Sequence, residues 1–248
     1  MSSAPDTHSL NMLVRRLESI AKLSEEERQA ILSLPVKTRV LKAGHDVVRE
    51  GDRPSQCCLI LDGWACRYKL IDGGRRQILS FHIPGDIPDL QSLHIHTMDH
   101  SVVTLTQASL ALLAHENLLD LIERYPRLGA IFWRETLIDA AIFREWMTGM
   151  GRRTAFERLA HLFCELYLRL QAVGLARSYR SAFPITQTDL GDALGLSNVH
   201  VNRVLKEMRE QGLVTLRSST LVIEKWDELV GACGFDPMYL HLEKRAAA

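Results

Sequence analysis

The side chains best suited to specific chemistry are concentrated in residues 184–223. Ser197 can cap a helix, and at 100° per residue one side of that helix projects away from its apolar stripe. The residues on this side are Val199, Asn202, Arg203, Lys206 and Glu210. Arginine can bond guanine O6 and N7, asparagine can bond adenine, and valine can contact the thymine methyl group. These residue types indicate a surface that reads base edges in a DNA groove.

Neighbouring residues suit contacts that position the duplex. The start of the helix, with Asn198, is the part of a recognition helix that enters the groove. Thr186, Thr188 and His200 can donate to phosphates. The run from Leu213 to Ile223, with Arg217 near its centre, predicts a β-wing that grips the flanking backbone. The candidate DNA-binding residues are Thr186, Thr188, Ser197, Asn198, Val199, His200, Asn202, Arg203, Lys206 and Arg217.

A helix-turn-helix is predicted to hold these residues. Thr186 followed by Asp189 indicates a helix start, and Gly195 supplies the positive φ for a tight turn. Gly191 is small where the two helices must nearly touch. Apolar residues at the spacing of this motif are Leu190, Leu194, Leu196, Val201 and Val204. An unrelated helical hairpin is the alternative, because such a turn is also a common packing device.

The N-terminal half has a different sequence pattern, with short β-rich runs in place of long helical ones. Two short helices are predicted within 9–34, with a capping box from Ser24 to Glu27. Short β-rich runs follow, separated by Gly, Asp and Pro, and Asp72-Gly73-Gly74 forms a hairpin turn. The predicted strands are Val36–Leu41, Cys57–Leu61, Ala65–Ile71, Gln77–His82, Val102–Thr106 and Leu110–Ala114. This spacing predicts a sandwich or barrel.

A helical period returns after these strands. Asn117–Arg124 predicts a short helix, and Pro126 suits the first position of a long one. The candidate dimer interface on the long helix is Leu128, Ile131, Ile138 and Ile142, with a core helix packed on its own sheet as the alternative. Thr148–Gly151 breaks the helical pattern and predicts a hinge or a domain boundary, because two close glycines lower helix propensity.

Three segments follow from this pattern. Residues 1–125 form the predicted sensor domain with its N-terminal helices, residues 126–151 form the dimerisation helix and hinge, and residues 152–248 form the DNA-binding domain. The last begins with an amphipathic helix over 152–173. Gly174 to Pro184 is predicted to be a polar loop.

Composition limits the class of protein. The 248 residues are 46% hydrophobic and 24% charged, which is an ordinary globular mixture. Because 30 basic residues balance 30 acidic ones, nucleic-acid contact must come from local placement of charge. No apolar run is long enough to span a membrane, and Met1–Asp6 lacks the start of a signal peptide, so a cytoplasmic protein is expected. Without a nucleophile elbow or P-loop, no catalytic residues and no enzyme are predicted.

The order of these elements resembles the cyclic-AMP receptor protein/FNR (Crp/Fnr) family of bacterial transcription regulators. The likeness extends from about residue 12 to 225 and is strongest in Thr186–Gly212. It implies an α+β fold: a cyclic-nucleotide-binding-like double-stranded β-roll (jelly roll), a long dimerisation helix and a C-terminal winged helix-turn-helix. It also implies a homodimer on a near-palindromic operator in double-stranded DNA, a small-molecule effector in the β-roll, and RNA polymerase as a further partner.

The effector site departs from this family. Cyclic-nucleotide binders of the family have an Arg-Ser or Arg-Thr pair that holds the phosphate. Here Asp99-His100-Ser101 stands at that place. The candidate effector-binding residues are Gly85, Asp86, Asp89, Leu90, His100 and Ser101. Because the bidentate guanidinium is missing, the sequence disfavours a cyclic nucleotide.

Other cofactors can be judged by the side chains that each would need as ligands. An iron–sulfur cluster needs several cysteine thiolates, and no cysteine precedes Cys57, so this cofactor is disfavoured. Haem stays open, although no spacing singles out an axial histidine. No metal site is predicted. Two alternatives remain: a cupin-like metal-binding protein or enzyme that uses His94 and His96, and a regulator active without any ligand.

Overall fold

The computed structural model describes residues 10–243, so the expectation for Met1–Asp6 lies outside the described residues. The chain divides into two compact units, and the first contains the described part of residues 1–69, residues 80–139 and the described residues from 242. It begins with helices α1 (Asn11–Glu18) and α2 (Glu25–Leu32). The capping box at α2 is confirmed, because Ser24 and Glu27 exchange backbone-to-side-chain hydrogen bonds of 2.7 and 3.1 Å.

Seven strands form two antiparallel sheets. The strands are β1 (Val36–Leu41), β2 (Asp46–Val48), β3 (Gln56–Asp62), β4 (Ala65–Ile71), β5 (Arg75–His82), β6 (Ser101–Thr104) and β7 (Ala108–Ala114). One sheet has the order β1-β7-β3 and the other β2-β6-β4-β5. Leu41, Ile60 and Leu110 of the first sheet share a hydrophobic core with Val48 and Val102 of the second. This is the predicted roll, although the sequence pattern did not show β2 or the 3-10 helix at Leu90–Leu93.

The long helix after the roll is continuous where the sequence predicted a break. After α3 (His115–Arg124), α4 extends from Pro126 to Arg152 without interruption. The predicted break at Thr148–Gly151 is therefore wrong as a break in the helix. Both glycines are helical, since i to i−4 bonding tolerates glycine at a cost of only about 1 kcal/mol each.

The residues predicted to form the dimer interface face the interior of their own chain. Leu128, Ile131, Ile138 and Ile142 are all buried in a single copy. The structure thus favours the core-helix alternative for these four side chains. The apolar period was identified correctly, but periodicity alone cannot say whether a buried stripe meets the same chain or a second one.

The second compact unit comprises residues 70–79 and 140–241. After α4 it contains α5 (Ala155–Ala172), β8 (Ala176–Arg177), β9 (Arg180–Ala182), α6 (Gln187–Leu194), α7 (Asn198–Glu210), β10 (Val214–Arg217), β11 (Thr220–Ile223), α8 (Trp226–Cys233) and a 3-10 helix at Pro237–Leu240. Its four strands have the order β10-β11-β9-β8. Part of the predicted loop between Gly174 and Pro184 is therefore a hairpin, whose turn uses positive φ at Ser178 and Tyr179. None of the helices within residues 10–243 has the length and apolar character that a membrane span requires.

Candidate nucleic-acid interface

The turn between α6 and α7 is set by two glycines. Gly195 ends α6 in the left-handed region at φ 65°, and the N–H of Leu196 donates to the Gly191 carbonyl over 3.0 Å. A Cβ at Gly191 would lie 2.6 Å from the carbonyl oxygen of Leu196, closer than real Cβ atoms come to a backbone oxygen. The absence of a side chain at this position allows the two helices to approach closely.

The second helix of this motif is anchored at its start and along its inner face. The Ser197 hydroxyl accepts from the His200 N–H over 3.3 Å, which satisfies one of the free donors of the first turn. Val201, Val204 and Met208 are buried on the opposite side of the helix. Val199 is 82% exposed, so the first turn of α7 presents its outward face to solvent.

Side-chain hydrogen bonds connect the outward residues to α6 and to each other. Asn198 Nδ2 donates to the Thr188 hydroxyl over 3.1 Å, and Asn202 Nδ2 donates to Gln187 Oε1 at 3.5 Å. Arg203 Nη2 lies 2.8 Å from His200 Nε2, where the arginine must be the donor. These exposed bonds restrict rotamers before any ligand arrives. Gln187 is a member that the sequence reasoning missed; its place in the first turn of α6 is the signal that would have found it.

Two of the candidate DNA-binding residues, Thr186 and Ser197, are helix caps. The Thr186 hydroxyl donates to Asp189 Oδ2 over 2.6 Å and accepts from the Asp189 N–H over 3.1 Å, so it caps α6. The Ser197 hydroxyl similarly caps α7. In this structure both side chains position the helices. Lys206 remains exposed, with its ammonium 3.7 Å from the Glu210 carboxylate.

Arg76 neutralises two carboxylates of α6. Residues 70–79 belong to the same compact unit as α6. Arg76 Nη2 donates to Asp189 Oδ1 over 2.5 Å, and its Nε donates to Asp192 Oδ2 over 2.8 Å. Unpaired acidic groups at the start of a helix-turn-helix would repel DNA phosphates, so this pairing lowers an electrostatic cost.

The wing is a short hairpin. Strands β10 and β11 pair antiparallel from Val214↔Ile223 to Arg217↔Thr220. The turn between them places Ser218 and Ser219 at positive φ, 48° and 55°. Arg217 is exposed at the end of β10, as a wing residue that contacts the backbone of DNA requires.

The predicted effector residues in the β-roll are bound to other parts of the same unit. Asp86 is buried, accepts from the Ile83 N–H over 3.0 Å and lies 3.3 Å from Arg16 Nε. Arg16 also donates to Glu135 Oε1 from Nε and Nη2, over 2.9 and 2.7 Å. Gly85 has φ 100°, and a Cβ there would lie 2.8 Å from the Met12 carbonyl oxygen. The loop is thus packed against α1 and tied to α4.

The other carboxylate and the histidine of this site are also engaged. Asp89 Oδ1 accepts from the Cys58 N–H over 2.8 Å, and burial raises the pKa of Asp89 to about 7. His100 bonds Asp99 Oδ1 at 2.7 Å, yet burial and the nearby positive charge of Arg67 lower the pKa of His100 to about 4. His100 is therefore neutral at pH 7 and supplies no positive charge. Leu90 is buried as well.

The neighbouring guanidinium is already paired. Arg67 donates to Asp139 Oδ2 over 2.7 Å and to the Pro88 carbonyl over 2.6 Å. The Ser101 hydroxyl accepts from the Glu50 N–H over 3.0 Å. The sequence reasoning missed Arg67, because it lies in a strand outside the family's phosphate motif. No cationic side chain among Gly85, Asp86, Asp89, Leu90, His100 and Ser101 takes the place of the absent arginine.

Metal ligands do not converge in the part of the chain that the structure describes. His94 and His96 are exposed, and within residues 10–243 no three His, Cys, Asp or Glu side chains are grouped closely enough to hold an ion. All five cysteines are buried, and burial raises the pKa of Cys57 to about 12, so its thiol is protonated at neutral pH. The cupin-like alternative has no support here.

A β-roll, a long helix and a winged helix-turn-helix define a class: transcription regulators that couple a sensor domain to DNA. The cyclic nucleotide-binding domain family matches residues 38–125, and the Crp-like helix-turn-helix domain family matches residues 157–231. The chain is 30% identical over 205 residues to the nitrogen fixation regulation protein FixK of Rhizobium meliloti, covering 82% of this chain and 90% of FixK. It is 25% identical to the transcriptional activator anr of Pseudomonas aeruginosa, covering 93% and 94%.

Solved structures agree on the fold. FixK2 of Bradyrhizobium japonicum superposes with a TM-score of 0.73 at 24% identity, over 86% of this chain and all of that one. The c-di-GMP responsive regulator CLP of Xanthomonas campestris gives 0.63 at 19% identity, over 82% of this chain and all of CLP. The chain belongs to the Crp/Fnr family of transcription regulators, and the predicted resemblance and fold class are confirmed.

Proposed function

We propose that the protein binds a near-palindromic operator as a homodimer, with one α7 in each half-site. The observation that carries this proposal is the exposed, hydrogen-bonded outward face of α7 over Asn198–Arg203. Side chains that are held in place lose less conformational entropy on binding. Arg203, Asn202 and Val199 contact base edges in this proposal, while Thr188, Lys206 and Arg217 contact phosphates.

The dimer uses the solvent-facing side of α4. Exposed apolar residues there include Trp133, Leu137 and Met147, which are 67%, 55% and 69% exposed. With Ala140 and Arg144 they recur at alternating spacings of four and three, the heptad period of a two-stranded interface. This stripe replaces the buried residues that the sequence reasoning assigned to the interface.

The β-roll senses an effector other than a cyclic nucleotide. Asp86 is paired with Arg16 of α1 and Arg67 with Asp139 of α4, and His100 carries no charge at pH 7. A cyclic phosphate would find no free cation at that place. RNA polymerase is the further partner, since the relatives include transcriptional activators. No catalysis is assigned to the chain.

Footprinting with operator variants tests the proposal. A dimer is expected to protect an inverted repeat whose half-sites lie about one helical turn apart. Arg203→Ala is expected to cost about 1–3 kcal/mol of binding free energy and to relax preference at one base position. Arg209→Ala is the matched control, because Arg209 lies six residues, about 9 Å, further along α7. An Arg203→Ala protein with unchanged base preference would show that α7 is not the reading element.

A further inference from the structure

The roll contains a groove that is lined by one predicted effector residue, Asp89, and by none of the other five. This groove has a volume of about 320 Å³, within the range of small-ligand sites. Its floor is apolar and is formed by Leu41, Val47, Val48, Leu110 and Leu112. Arg39, Asp52, Arg53, Gln56, Cys58 and Asp89 also line it. The groove therefore combines an apolar floor with charged groups at its edges.

Arg39 is exposed, although it lies on the face of β1 that also carries a buried leucine. Residues two apart on a strand share a face, so Arg39 lies on the same face of β1 as the buried Leu41. It pairs directly with Leu110 of β7, which is buried. Val40, on the other face, is 64% exposed. An exposed valine on one face and an arginine on the face shared with Leu41 reverse the usual pattern of a half-buried strand, and Arg39 consequently lines the groove.

Arg53 supplies the second positive charge from a fixed turn. The Gly51 N–H donates to the Met98 carbonyl over 2.8 Å, and the Met98 N–H donates to the Asp52 carbonyl over 2.9 Å. The Asp52 carboxylate accepts from the Arg49 N–H over 2.8 Å. Within residues 10–243, neither Arg39 nor Arg53 makes an ion pair or a side-chain hydrogen bond. Both guanidinium groups are exposed at the mouth of the groove.

The polarity of the groove fixes the orientation of a ligand. Asp89 is a buried carboxyl group on the groove wall, and its Oδ1 is taken by the Cys58 N–H. An anionic head near Asp89 would meet a second acidic group. At Arg39 and Arg53 it would meet two free guanidinium groups and one carboxylate, Asp52, which already accepts from the Arg49 N–H. The apolar body of the same molecule would cover Leu41, Leu110 and Leu112.

We propose that this groove binds a small organic carboxylate with an apolar body, whose carboxylate is held by Arg39 and Arg53. This inference rests on the proposed function, in which the β-roll senses an effector. It names the chemical class of that effector and moves the anion site from the 85–101 segment to the edge formed by β1 and the turn before β3.

Calorimetry on the full-length protein tests this inference with defined probes. Hexanoate, octanoate and 4-phenylbutyrate are each titrated beside the corresponding uncharged amide. At least one acid is expected to bind ten times or more tightly than its amide. Arg39→Gln with Arg53→Gln is expected to abolish that difference, since a charge-assisted bond is about twice as strong as a neutral one. Arg75→Gln, at another exposed arginine, is the matched control and keeps the difference.

Three outcomes would overturn the inference: no acid binds, acid and amide bind equally, or the double variant retains the preference for the acid. Operator binding is measured on the same proteins without any probe. If the double variant still binds the operator as the parent does, loss of acid binding reports on the groove. If the parent itself fails to bind any inverted repeat, the proposed function fails independently of the groove.

Discussion

At the scale of single residues, the buried carboxyl group of Asp89 makes the stability of the protein depend on pH. It is buried in the roll with one backbone hydrogen bond, and burial raises its pKa from 3.8 to about 7. The folded protein therefore holds a proton here that the unfolded chain releases above about pH 4. As pH rises from 4 to 7, the unfolded state loses its proton first, so the free energy of unfolding falls across that window.

Asp89→Asn tests this sign. The amide oxygen can still accept from the Cys58 N–H, but it carries no charge. We expect the variant to be more stable than the parent above pH 7, by up to roughly 4 kcal/mol, and nearly equal to it below pH 4. Urea unfolding at pH 4, 6 and 8 measures the difference. A variant that is destabilised equally at all three pH values would contradict the assignment of a buried, titrating carboxyl group.

At the scale of elements, the turn between α6 and α7 depends on the size of one residue. A Cβ at Gly191 would lie 2.6 Å from the backbone oxygen of Leu196 and 3.4 Å from Asn198 Oδ1. Gly191→Ala is expected to destabilise the protein by about 1–3 kcal/mol, the usual cost of an overpacked site. It should also weaken operator binding, because α7 must shift. Thermal unfolding and a gel shift measure the two effects.

Gly231 provides the control for that prediction. It lies within α8, and a Cβ there would meet nothing within 4 Å. Gly231→Ala is expected to be neutral or to stabilise the protein by up to about 1 kcal/mol, because alanine is the better helix former. If both alanine variants behaved alike, close approach at Gly191 would not be what sets the turn.

The elements also show what the sequence can and cannot reveal. The strand Val36–Leu41 and the helix-turn-helix were predicted because β-rich runs between turn residues, helix caps and Gly195 are local signals. The strand Asp46–Val48 and the hairpin after Gly174 were missed. The first has only three residues, and the second turns through Ser178 and Tyr179 in place of glycine. The partner of Asp46–Val48 is β6, which is distant in sequence. The two strands of the hairpin pair with each other, and the pattern missed them because their turn lacks the usual glycine.

Site residues followed the same division. The outward face of α7 could be derived from helical geometry, because it needs only a 3.6-residue period. The capping roles of Thr186 and Ser197 could also be derived, because Ser and Thr are preferred N-cap residues. The pairing of Arg67 with Asp139 could not be derived, since 72 residues separate them. The position of Arg39 opposite Leu110 depends on the pairing of β1 with β7, which the sequence pattern did not give.

At the scale of the whole molecule, assembly depends on which face of α4 is left uncovered. A single copy buries Leu128, Ile131, Ile138 and Ile142, so these side chains are already removed from water. Leu137 is 55% exposed in the same copy. Burying it against a second copy would gain part of the 1.5–3 kcal/mol typical of a leucine side chain, at two symmetric positions in each dimer.

Leu137→Glu is therefore expected to dissociate the dimer, since it places a carboxylate in each copy at an apolar seam where the two charges face each other. Sedimentation over a range of concentrations measures the shift toward monomer. Arg124→Glu is the control, because Arg124 is an exposed residue at the end of α3 and lies off the stripe. Dissociation should also abolish operator binding, since one recognition helix alone contacts only one half-site. A Leu137→Glu protein that remains a dimer and binds the full operator would place the interface elsewhere on the molecule.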